Sequence, residues 1–392
     1  MNELLILSNS PGEISGWVAP VAAAFARLGR AARVTLAALP CQYASGMEAA
    51  SARRLEGIDG ADTFRSVWKN FRANGKTLVL QLGGDPMFGA LLKIRTRGSW
   101  MIYTSRPRWL SLADQYFLPD ERARRRFEAK SVNSGKYSVV GDLILDSVPA
   151  CGGRDAARAS LGVVQGTPTV SFLVGSRPFE YCTGLPFFIK AAQLLAKKHQ
   201  DLTALFALAP TADEPLMRAK LAEAGLSWTG GDRFEEIVWA GQGRSRIRFA
   251  RGDTFSAIKA SDLAVALPGT NNLQIAALGV PLLMVAPLNE AENIPLDGLA
   301  GSMPLPPRVK SRLVRWYNSR EKFLSLPNRL AGEQIVPEHR CHMTPETIAR
   351  LASELLSSPE RLAEIREGYK KVPLARGAAA RIAAEAAAFF GK

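Results

Sequence analysis

Two carboxylates follow apolar runs in the first half of the chain, where they are placed to do acid–base chemistry. Asp85 stands in the turn of "LVLQLGGDPMFG", directly after a strongly apolar strand, and Glu13 stands in the opening "LSNSPGEISGWVAP". A carboxylate at the end of a strand can take a proton from an attacking hydroxyl, and it can equally cap the helix that follows. Both interpretations of Asp85 stay open from this pattern alone.

Two turns in the second half combine backbone amides with polar side chains. "SFLVGSRPFEY" ends an apolar strand in the run Gly175-Ser176-Arg177, which offers close backbone approach, a hydroxyl and a guanidinium suited to phosphate oxygens. "ALPGTNNLQIAALGV" ends another strand at Gly269-Thr270, and a helix that begins near Asn271 directs its amides toward that turn. Either turn alone is compatible with an ordinary strand–turn–helix junction, and together they favour a nucleotide-diphosphate site.

The opening loop itself does not identify a ligand. Gly12 and Gly16 either line a site at the end of the first strand or serve only the backbone of a tight turn. The strict dinucleotide fingerprint G-x-G-x-x-G is absent from this loop.

Length and composition describe a globular protein of two domains. A chain of 392 residues exceeds one ordinary core, and 47% hydrophobic with 22% charged residues is typical of a soluble protein. No signal peptide or membrane-spanning run is predicted. Four cysteines without a C-x-x-C spacing indicate reduced thiols in the cytoplasm, and three histidines predict no metal cluster.

The net charge of +14 favours a polyanionic partner, namely nucleic acid, an anionic membrane or a phosphorylated substrate. The densest basic run, 122–130, is interpreted as an amphipathic helix with Phe127 on one face, and most of its arginines as solvated. Nucleic acid is disfavoured because zinc-finger spacing, RNP aromatics and an arginine-rich tail are absent. Binding to an anionic membrane is expected to weaken as salt is added, and binding insensitive to salt would indicate apolar insertion, with "AAAFFGK" as the first candidate segment.

Apolar runs alternate with helical stretches in both halves, which predicts an α/β fold of two Rossmann-like domains facing a central cleft. The Pro/Gly-rich break "SVPACGGRDAA" separates an N-terminal domain at 1–150 from a C-terminal domain at 165–343. A helical tail at 344–392 is expected to pack back on the N-terminal domain. The predicted strands are 3–8, 33–39, 77–83, 100–104, 116–118, 138–140, 170–174, 203–207, 246–249, 262–266 and 281–285, and a helix is predicted around 186–197.

Eight short motifs in a fixed order resemble lipid-A-disaccharide synthase and its relatives. The most specific is "SLPNRLAGEQIVPE", residues 325–338, which the family carries as a Leu-Pro-Asn-x-x-Ala-Gly run ending in Val-Pro-Glu. The others are "SPGEISG", "GGDPMFG", "YTSRPRW", "LPDE", "VVGDLILD", "VGSRPFE" and "PGTNNLQIAALGVP". The resemblance covers the chain from Ser8 to about Glu338.

The resemblance implies a GT-B type glycosyltransferase that moves a sugar, of the N-acetylglucosamine type, from a UDP-sugar to a phosphorylated glycolipid with inversion. It implies no metal and no cofactor, an acceptor-binding N-terminal domain, a nucleotide-sugar-binding C-terminal domain, and a cytoplasmic protein peripheral to the inner face of the cytoplasmic membrane. It maps the general base to Asp85, with Glu13 as the second carboxylate. The donor set it implies is Gly175, Ser176, Arg177, Gly269, Thr270, Asn271 and Gln274, and the acceptor loop is Gly12, Ser15 and Gly16.

Several positions depart from the family pattern. Trp17 stands where the family's opening loop has an Asp, Gln274 replaces a Glu expected to hold the ribose, and "GGDPMFG" keeps one of two acids. The acceptor is therefore either the family's glycolipid or a different glycolipid or polyprenyl-linked lipid.

Two alternatives from other classes stay open. A UDP-N-acetylglucosamine epimerase or hydrolase shares the two-domain form, although the sparse histidines argue against it. A non-catalytic homologue would bind nucleotide sugar or anionic lipid without turnover, against which the retention of Asp85 and Arg177 argues.

Overall fold

The computed structural model describes residues 1–29, 31–40, 46, 48–72, 74–108, 111–149, 152–175, 178–208, 214–223, 228–229, 235–237, 245–289, 291–294 and 305–391. The chain forms two compact units, Met1–Ser147 with Ala375–Lys392, and Val148–Leu374. The stretch 344–392 is therefore divided, because the helices Pro345–Leu356 and Pro359–Gly368 lie in the second unit. Only the last helix, Ala378–Phe389, joins the first.

The first unit is built on a seven-stranded parallel sheet in the order β3-β2-β1-β4-β5-β6-β7. Its strands are β1 (Glu3–Ser8), β2 (Arg33–Ala38), β3 (Gly60–Thr63), β4 (Thr77–Gln81), β5 (Ser99–Tyr103), β6 (Gln115–Leu118) and β7 (Tyr137–Val139). All six residues of β1 are buried, as expected for a central parallel strand covered on both faces. Leu4 and Ile6 pack into the core on one face, and Leu5 and Leu7 pack into the core on the other.

The second unit is built on an eight-stranded sheet in the order β10-β11-β12-β9-β8-β13-β14-β15. Pairing is parallel from β12 to β15, and β10 and β11 add an antiparallel edge. The strands are β8 (Thr169–Leu173), β9 (Thr203–Leu208), β10 (Trp228–Thr229), β11 (Glu235–Ile237), β12 (Arg246–Arg251), β13 (Leu263–Ala266), β14 (Leu282–Pro287) and β15 (Glu338–Cys341). Two Rossmann-like sheets confirm the predicted fold class.

Helices connect the strands of both sheets. They are α1 (Pro11–Glu13), α2 (Ala19–Arg27), α3 (Glu48–Ala52), α4 (Phe64–Asn70), α5 (Pro86–Thr96), α6 (Glu121–Glu128), α7 (Leu143–Asp146), α8 (Arg154–Ser160), α9 (Pro178–Lys198), α10 (Glu214–Glu223), α11 (Thr254–Ala260), α12 (Asn271–Ala277), α13 (Pro307–Arg320), α14 (Leu326–Ala331), α15 (Pro345–Leu356), α16 (Pro359–Gly368) and α17 (Ala378–Phe389). A π-helical segment, Ile14–Val18, joins α1 to α2, and 3-10 turns lie at Ser134–Lys136, Ala291–Asn293 and Tyr369–Lys371. None of the helices within these described ranges combines the length and the apolar character that crossing a bilayer requires.

The last helix, α17, is part of the first unit's core. It packs on α2, and its amino end is held by Asp146, whose carboxylate accepts hydrogen bonds from the amides of Gly377 and Ala379, both at 2.6 Å. Phe390 is 9% exposed and its ring lies 6.4 Å from that of Phe25. The last phenylalanine of "AAAFFGK" is therefore used in the core of the first unit, which argues against this segment as a site of membrane insertion.

The observed strands and helices differ from the sequence prediction in two respects: four short strands were not predicted, and one helix begins before its predicted first residue. The strands β3, β10, β11 and β15 were not predicted, since they are short and carry polar residues, as in Glu338–Cys341. The helix predicted from 186 begins at Pro178, with Pro186 inside it. The basic helix is confirmed as α6, with Phe127 fully buried.

Candidate active site

Both carboxylates predicted in the first half follow the two central strands of the first sheet. β1 and β4 are neighbours, β2 and β3 lie beyond β1, and the remaining strands lie beyond β4. Leu7 pairs with Gln81 near the carboxyl ends of these strands. A reversal of strand order of this kind opens a crevice beyond the strand ends, where α/β proteins bind ligands. Glu13 and Asp85 therefore follow the strands that form this switch point.

Glu13 is held between the two loops that leave this switch point. Its Oε2 accepts hydrogen bonds from Ser8 Oγ and from the Asn9 amide, both at 3.3 Å. Gly83, in the loop after β4, approaches so closely that a Cβ there would overlap the Glu13 carboxylate. The glycine is thus required for contact between the two loops, and the structure brings Glu13 beside the loop that carries Asp85.

Asp85 is exposed and forms the N-cap of α5. Its Oδ1 accepts a hydrogen bond from the Met87 amide at 2.9 Å, and Pro86 occupies the first helical position. Within the described residues, no hydrogen bond is made to its Oδ2. The capping interpretation is confirmed, and one carboxylate oxygen is left facing solvent, which is compatible with a role as base.

Gln81 positions this loop, and the sequence did not single it out. Its side chain is completely buried at the end of β4, and Nε2 donates to the carbonyl oxygens of Gly83 at 3.0 Å and Asp85 at 2.8 Å. The adjacent Gly84 has φ of +73°, which fits the sharp turn of the backbone. The available signal was a single polar residue inside the apolar run "TLVLQL".

The other residues predicted in the opening loop make local contacts. Ser15 Oγ donates to the Pro11 carbonyl at 3.0 Å and lies 3.4 Å from the Gly12 carbonyl. Gly16 is buried in the π-helical segment, where a Cβ would come within 2.7 Å of Ile144 Cδ1. Gly16 therefore allows the segment to pack on α7, and an acceptor-lining role for Gly12, Ser15 and Gly16 stays a prediction.

A tyrosine–aspartate pair at the same sheet edge was missed. Burial raises the pKa of the Tyr103 phenol well above its ordinary value, and the neighbouring Asp142 adds to the shift. Burial likewise raises the pKa of the Asp142 carboxyl, although the Ile144 amide donates to it at 3.0 Å. The Trp17 ring packs edge-on against Tyr103 at 5.4 Å. "YTSRPRW" and "VVGDLILD" contain these residues, but neither motif shows that they meet.

The second sheet has its own switch point between β8 and β13. These strands are neighbours, with Leu173 opposite Ala266, while β9 lies beyond β8 and β14 beyond β13. The turns predicted to bind a diphosphate, after Leu173 and after Ala266, follow these two strands. Neighbouring carboxyl ends place both turns at one edge of the sheet.

Gly175 meets two separate requirements for glycine. Its φ is +98°, in the left-handed region, and a Cβ would overlap the Glu180 carboxylate of α9. The backbone of this turn and the first turn of α9 are therefore in close contact. Ser176 and Arg177, the remaining residues predicted here, lie outside the described residues.

The turn after β13 presents exposed backbone and a buried amide side chain. Gly269 is exposed, Thr270 precedes α12 without capping it through its hydroxyl, and Asn271 and Gln274 are partly buried. Asn272 is fully buried and was not predicted; its Nδ2 donates to the Leu267 carbonyl and to Asn271 Oδ1, both at 3.0 Å. Asn272 thus ties the turn to the end of the strand. The doublet "NN" was the signal available in the sequence.

The most specific motif of the resemblance, residues 325–338, forms a buried hydrogen-bond network. Asn328 is fully buried; its Oδ1 accepts from the amides of Ile335 and Val336, and its Nδ2 donates to Glu338 Oε2 at 3.1 Å. The Glu338 carboxylate also accepts from the Leu324 amide at 2.8 Å. Within the described part of the chain, these polar side chains are used to hold α14 against β15.

Comparison with known proteins gives similarity to one family over part of the chain, and a fold. The family model of lipid-A-disaccharide synthetase matches residues 117–290. The lipid-A-disaccharide synthase of Syntrophus aciditrophicus is 29% identical over 59% of this chain and 51% of its own length. That of Gloeothece citriformis is 29% identical over 67% of this chain and 59% of its own length. The synthase of Azotobacter vinelandii is 31% identical over 59% of this chain and 52% of its own length. The chain thus spans about half the length of the curated relatives it matches.

Solved structures resemble the chain over nearly its whole length. The UDP-GlcNAc 2-epimerase of Neisseria meningitidis, bound to UDP-GlcNAc, has a TM-score of 0.57 with 13% identity and covers 98% of this chain and 99% of its own. MurG of Acinetobacter baumannii has a TM-score of 0.51 with 12% identity and covers 94% of both chains. At these identities the likeness shows the fold, which is that of the GT-B type.

Proposed function

Because the chain is a distant homologue of the lipid-A-disaccharide synthase family, we propose that it is an inverting glycosyltransferase that uses a UDP-sugar donor and a membrane lipid acceptor. The sugar is of the N-acetylglucosamine type, and the acceptor is a phosphorylated glycolipid or a polyprenyl-linked lipid. The first unit binds the acceptor and supplies the base, and the second unit binds the donor.

The observation that carries this proposal is the position of Asp85 at the switch point of the first sheet. The hydroxyl of a sugar is a poor nucleophile at neutral pH, so transfer needs a base at the acceptor. One oxygen of Asp85 is fixed by the Met87 amide while the side chain stays exposed. An aspartate held in this way is oriented before substrate arrives, which supports its role as the general base. Glu13, beside the same loop, is the second carboxylate available.

The donor's diphosphate is proposed to lie at the switch point of the second sheet. The turn at Gly175 brings backbone close to α9, and the exposed Gly269 and the partly buried Thr270 lead into α12. Amides at a strand end and the guanidinium of Arg177 would offset the charge of the leaving UDP, so that no metal is required. Asn271 and Gln274 follow in the same turn and helix, with Gln274 proposed to contact the ribose.

Transfer to a lipid requires the protein to reach a membrane. The net charge of +14 supports attraction to anionic lipid, and we place the protein peripherally on the inner face of the cytoplasmic membrane.

Release of UDP in the presence and absence of acceptor tests the function. The purified chain should release UDP from UDP-N-acetylglucosamine only when a bacterial glycolipid fraction is added, and calorimetry should detect binding of UDP itself. UDP binding without release by any lipid fraction would support the non-catalytic alternative. Conversion of the donor without lipid would support an epimerase or hydrolase.

A further inference from the structure

One helix of the second unit exposes an apolar stripe to solvent. In α13 the side chains of Val309, Leu313, Trp316 and Tyr317 are 44%, 39%, 53% and 52% exposed. The first three are spaced i, i+4 and i+7, so they lie on one face of the helix, with Tyr317 beside them. Large apolar side chains in this number on one short helix are unusual for a surface that meets only water.

The stripe does not face the side of the helix that packs on the protein. Val314 is 3% exposed and lies roughly 100–160° around the helix from Val309, Leu313 and Trp316, and about 60° from Tyr317 at the edge of the stripe. The Arg315 guanidinium donates to the Leu288 carbonyl, and Arg340 of β15 donates to the Asn318 carbonyl at 2.8 Å. These contacts attach the helix to the second unit from its other side and at its C-terminal end, and leave the stripe outward.

The charge of α13 is entirely positive. Its fourteen residues contain Arg308, Lys310, Arg312, Arg315 and Arg320 and no acid. Among the described residues, the acids on elements that adjoin α13 are Glu292, in the 3-10 turn that contacts it, Glu321, which follows its last residue, and Glu338 of β15, which is paired with Arg340. The Arg320 guanidinium lies 4.5 Å from the centre of the Trp316 ring, which places a cation directly beside the stripe.

We propose that α13 is the surface by which this protein docks on an anionic phospholipid membrane, a proposal that rests on the lipid acceptor of the proposed function. Val309 and Leu313 insert among the lipids, Trp316 and Tyr317 lie at the interface, and the arginines contact anionic headgroups. A nucleic acid fits less well, because the N-terminal half of the stripe is aliphatic, whereas stacking on bases requires aromatic rings.

Co-sedimentation with vesicles tests the proposal without using activity. The full chain is mixed with phosphatidylcholine vesicles containing 0 or about 30% phosphatidylglycerol at low salt. It should bind the anionic vesicles only, and binding should fall as salt is raised to about 0.5 M, where the screening length drops below about 5 Å. Equal binding to the neutral vesicles would overturn the proposal.

Paired variants separate the two parts of the surface. Leu313→Ser with Trp316→Ser should weaken binding at least about tenfold, and Arg308→Gln with Arg312→Gln should weaken it about 10- to 30-fold, near fivefold per cation. The matched controls are Val164→Ser, an exposed valine elsewhere in the same unit, and Lys197→Gln with Lys198→Gln at the exposed end of α9. Equal losses of vesicle binding in the controls and in the α13 variants would show that binding does not depend on α13 in particular, and would overturn the proposal.

Two further readouts keep the test independent of folding and of the proposed function. All variants should keep the melting temperature and the UDP affinity of the unmodified chain. If the unmodified chain itself did not bind UDP, that result would contradict the proposed glycosyltransferase and leave the docking proposal standing. Trp316→Phe should bind as before yet lose part of the fluorescence quenching by brominated lipid. Failure to bind vesicles, with binding of a single-stranded oligonucleotide or an acidic protein through the same side chains, would overturn the membrane assignment.

Discussion

Replacing Asp85 with asparagine separates its structural role, as the cap of α5, from its proposed role as the general base. The Met87 amide donates to Oδ1 at 2.9 Å, and an asparagine side-chain oxygen can accept the same hydrogen bond. Asp85→Asn should therefore keep the cap of α5 and change stability by only a few tenths of a kcal/mol. It removes basicity, so transfer should fall by roughly 10²–10⁴-fold, equivalent to about 3–5 kcal/mol of transition-state stabilisation.

Asp85→Ala removes the cap as well as the proposed base. It should cost about 1 kcal/mol of stability, or a fall of roughly 2–4 °C in melting temperature, and lose transfer to the same extent as Asp85→Asn. UDP release with lipid acceptor measures the rate, and calorimetry measures the melting temperature. The UDP affinity, also measured by calorimetry, should not change in either variant.

Asp120 provides a matched control at the same sheet edge. It follows β6 and caps α6 through a hydrogen bond from the Ala123 amide at 2.6 Å, so Asp120→Asn makes the same chemical change at an equivalent cap. Its rate should stay within about twofold of the unmodified chain. Full activity in Asp85→Asn would refute the assignment and make Glu13 the next candidate. Full activity in Glu13→Gln as well would leave the mechanism without a base.

Four further changes have defined outcomes. Gly175→Ala should lower the free energy of unfolding in urea by about 1–3 kcal/mol, because the φ of +98° and the Glu180 carboxylate both oppose a Cβ at this position. An unchanged midpoint of urea unfolding would contradict the conformation described for the turn after β8. Asn328→Ala should cost about 2–4 kcal/mol in urea unfolding, because it leaves the buried Val336 amide and the partly buried Ile335 amide unpaired. The activity per folded molecule should not change, and a loss of activity alone would indicate a site role. Burial raises the pKa of the Asp142 carboxyl, so the folded chain keeps this proton to higher pH than the unfolded chain. The ionised carboxylate therefore destabilises the folded state, and this destabilisation reaches its full size above the raised pKa. Asp142→Asn should therefore raise the melting temperature at pH 7, with a gain that shrinks toward pH 4, whereas a pH-independent gain would refute the burial argument. Excess EDTA should leave transfer unchanged, and loss that Mg²⁺ or Mn²⁺ restores would show that a metal takes part.

The central strands and the loops after them could be predicted because burial on both faces leaves a plain signal in the sequence. β1 is a short apolar run and the polar turn after it follows directly, so the strand and the position of Glu13 were both identified. Strands that are short and rich in polar residues lack such a signal, and the edge strand Glu338–Cys341 was missed for that reason.

Side chains that support the site could not be predicted, because their roles depend on contacts between distant segments. Gln81 is recognisable only as an isolated polar residue until its bonds to the Gly83 and Asp85 carbonyls are seen. Tyr103 and Asp142 are far apart in sequence and meet only because β5, β6 and β7 are adjacent. Periodicity shows that Val309 and Leu313 share a helix face, but not that this face is left uncovered.

The stereochemistry of transfer tests the central claim most directly. UDP-N-acetylglucosamine carries its sugar in the α configuration, so an inverting transferase forms a β-linked product. NMR of the lipid product and of the remaining donor should show a β-anomeric coupling in the product, with a donor that stays intact until acceptor is added. A C2 epimer of the donor, free sugar formed without acceptor, or an α-linked product would contradict the account.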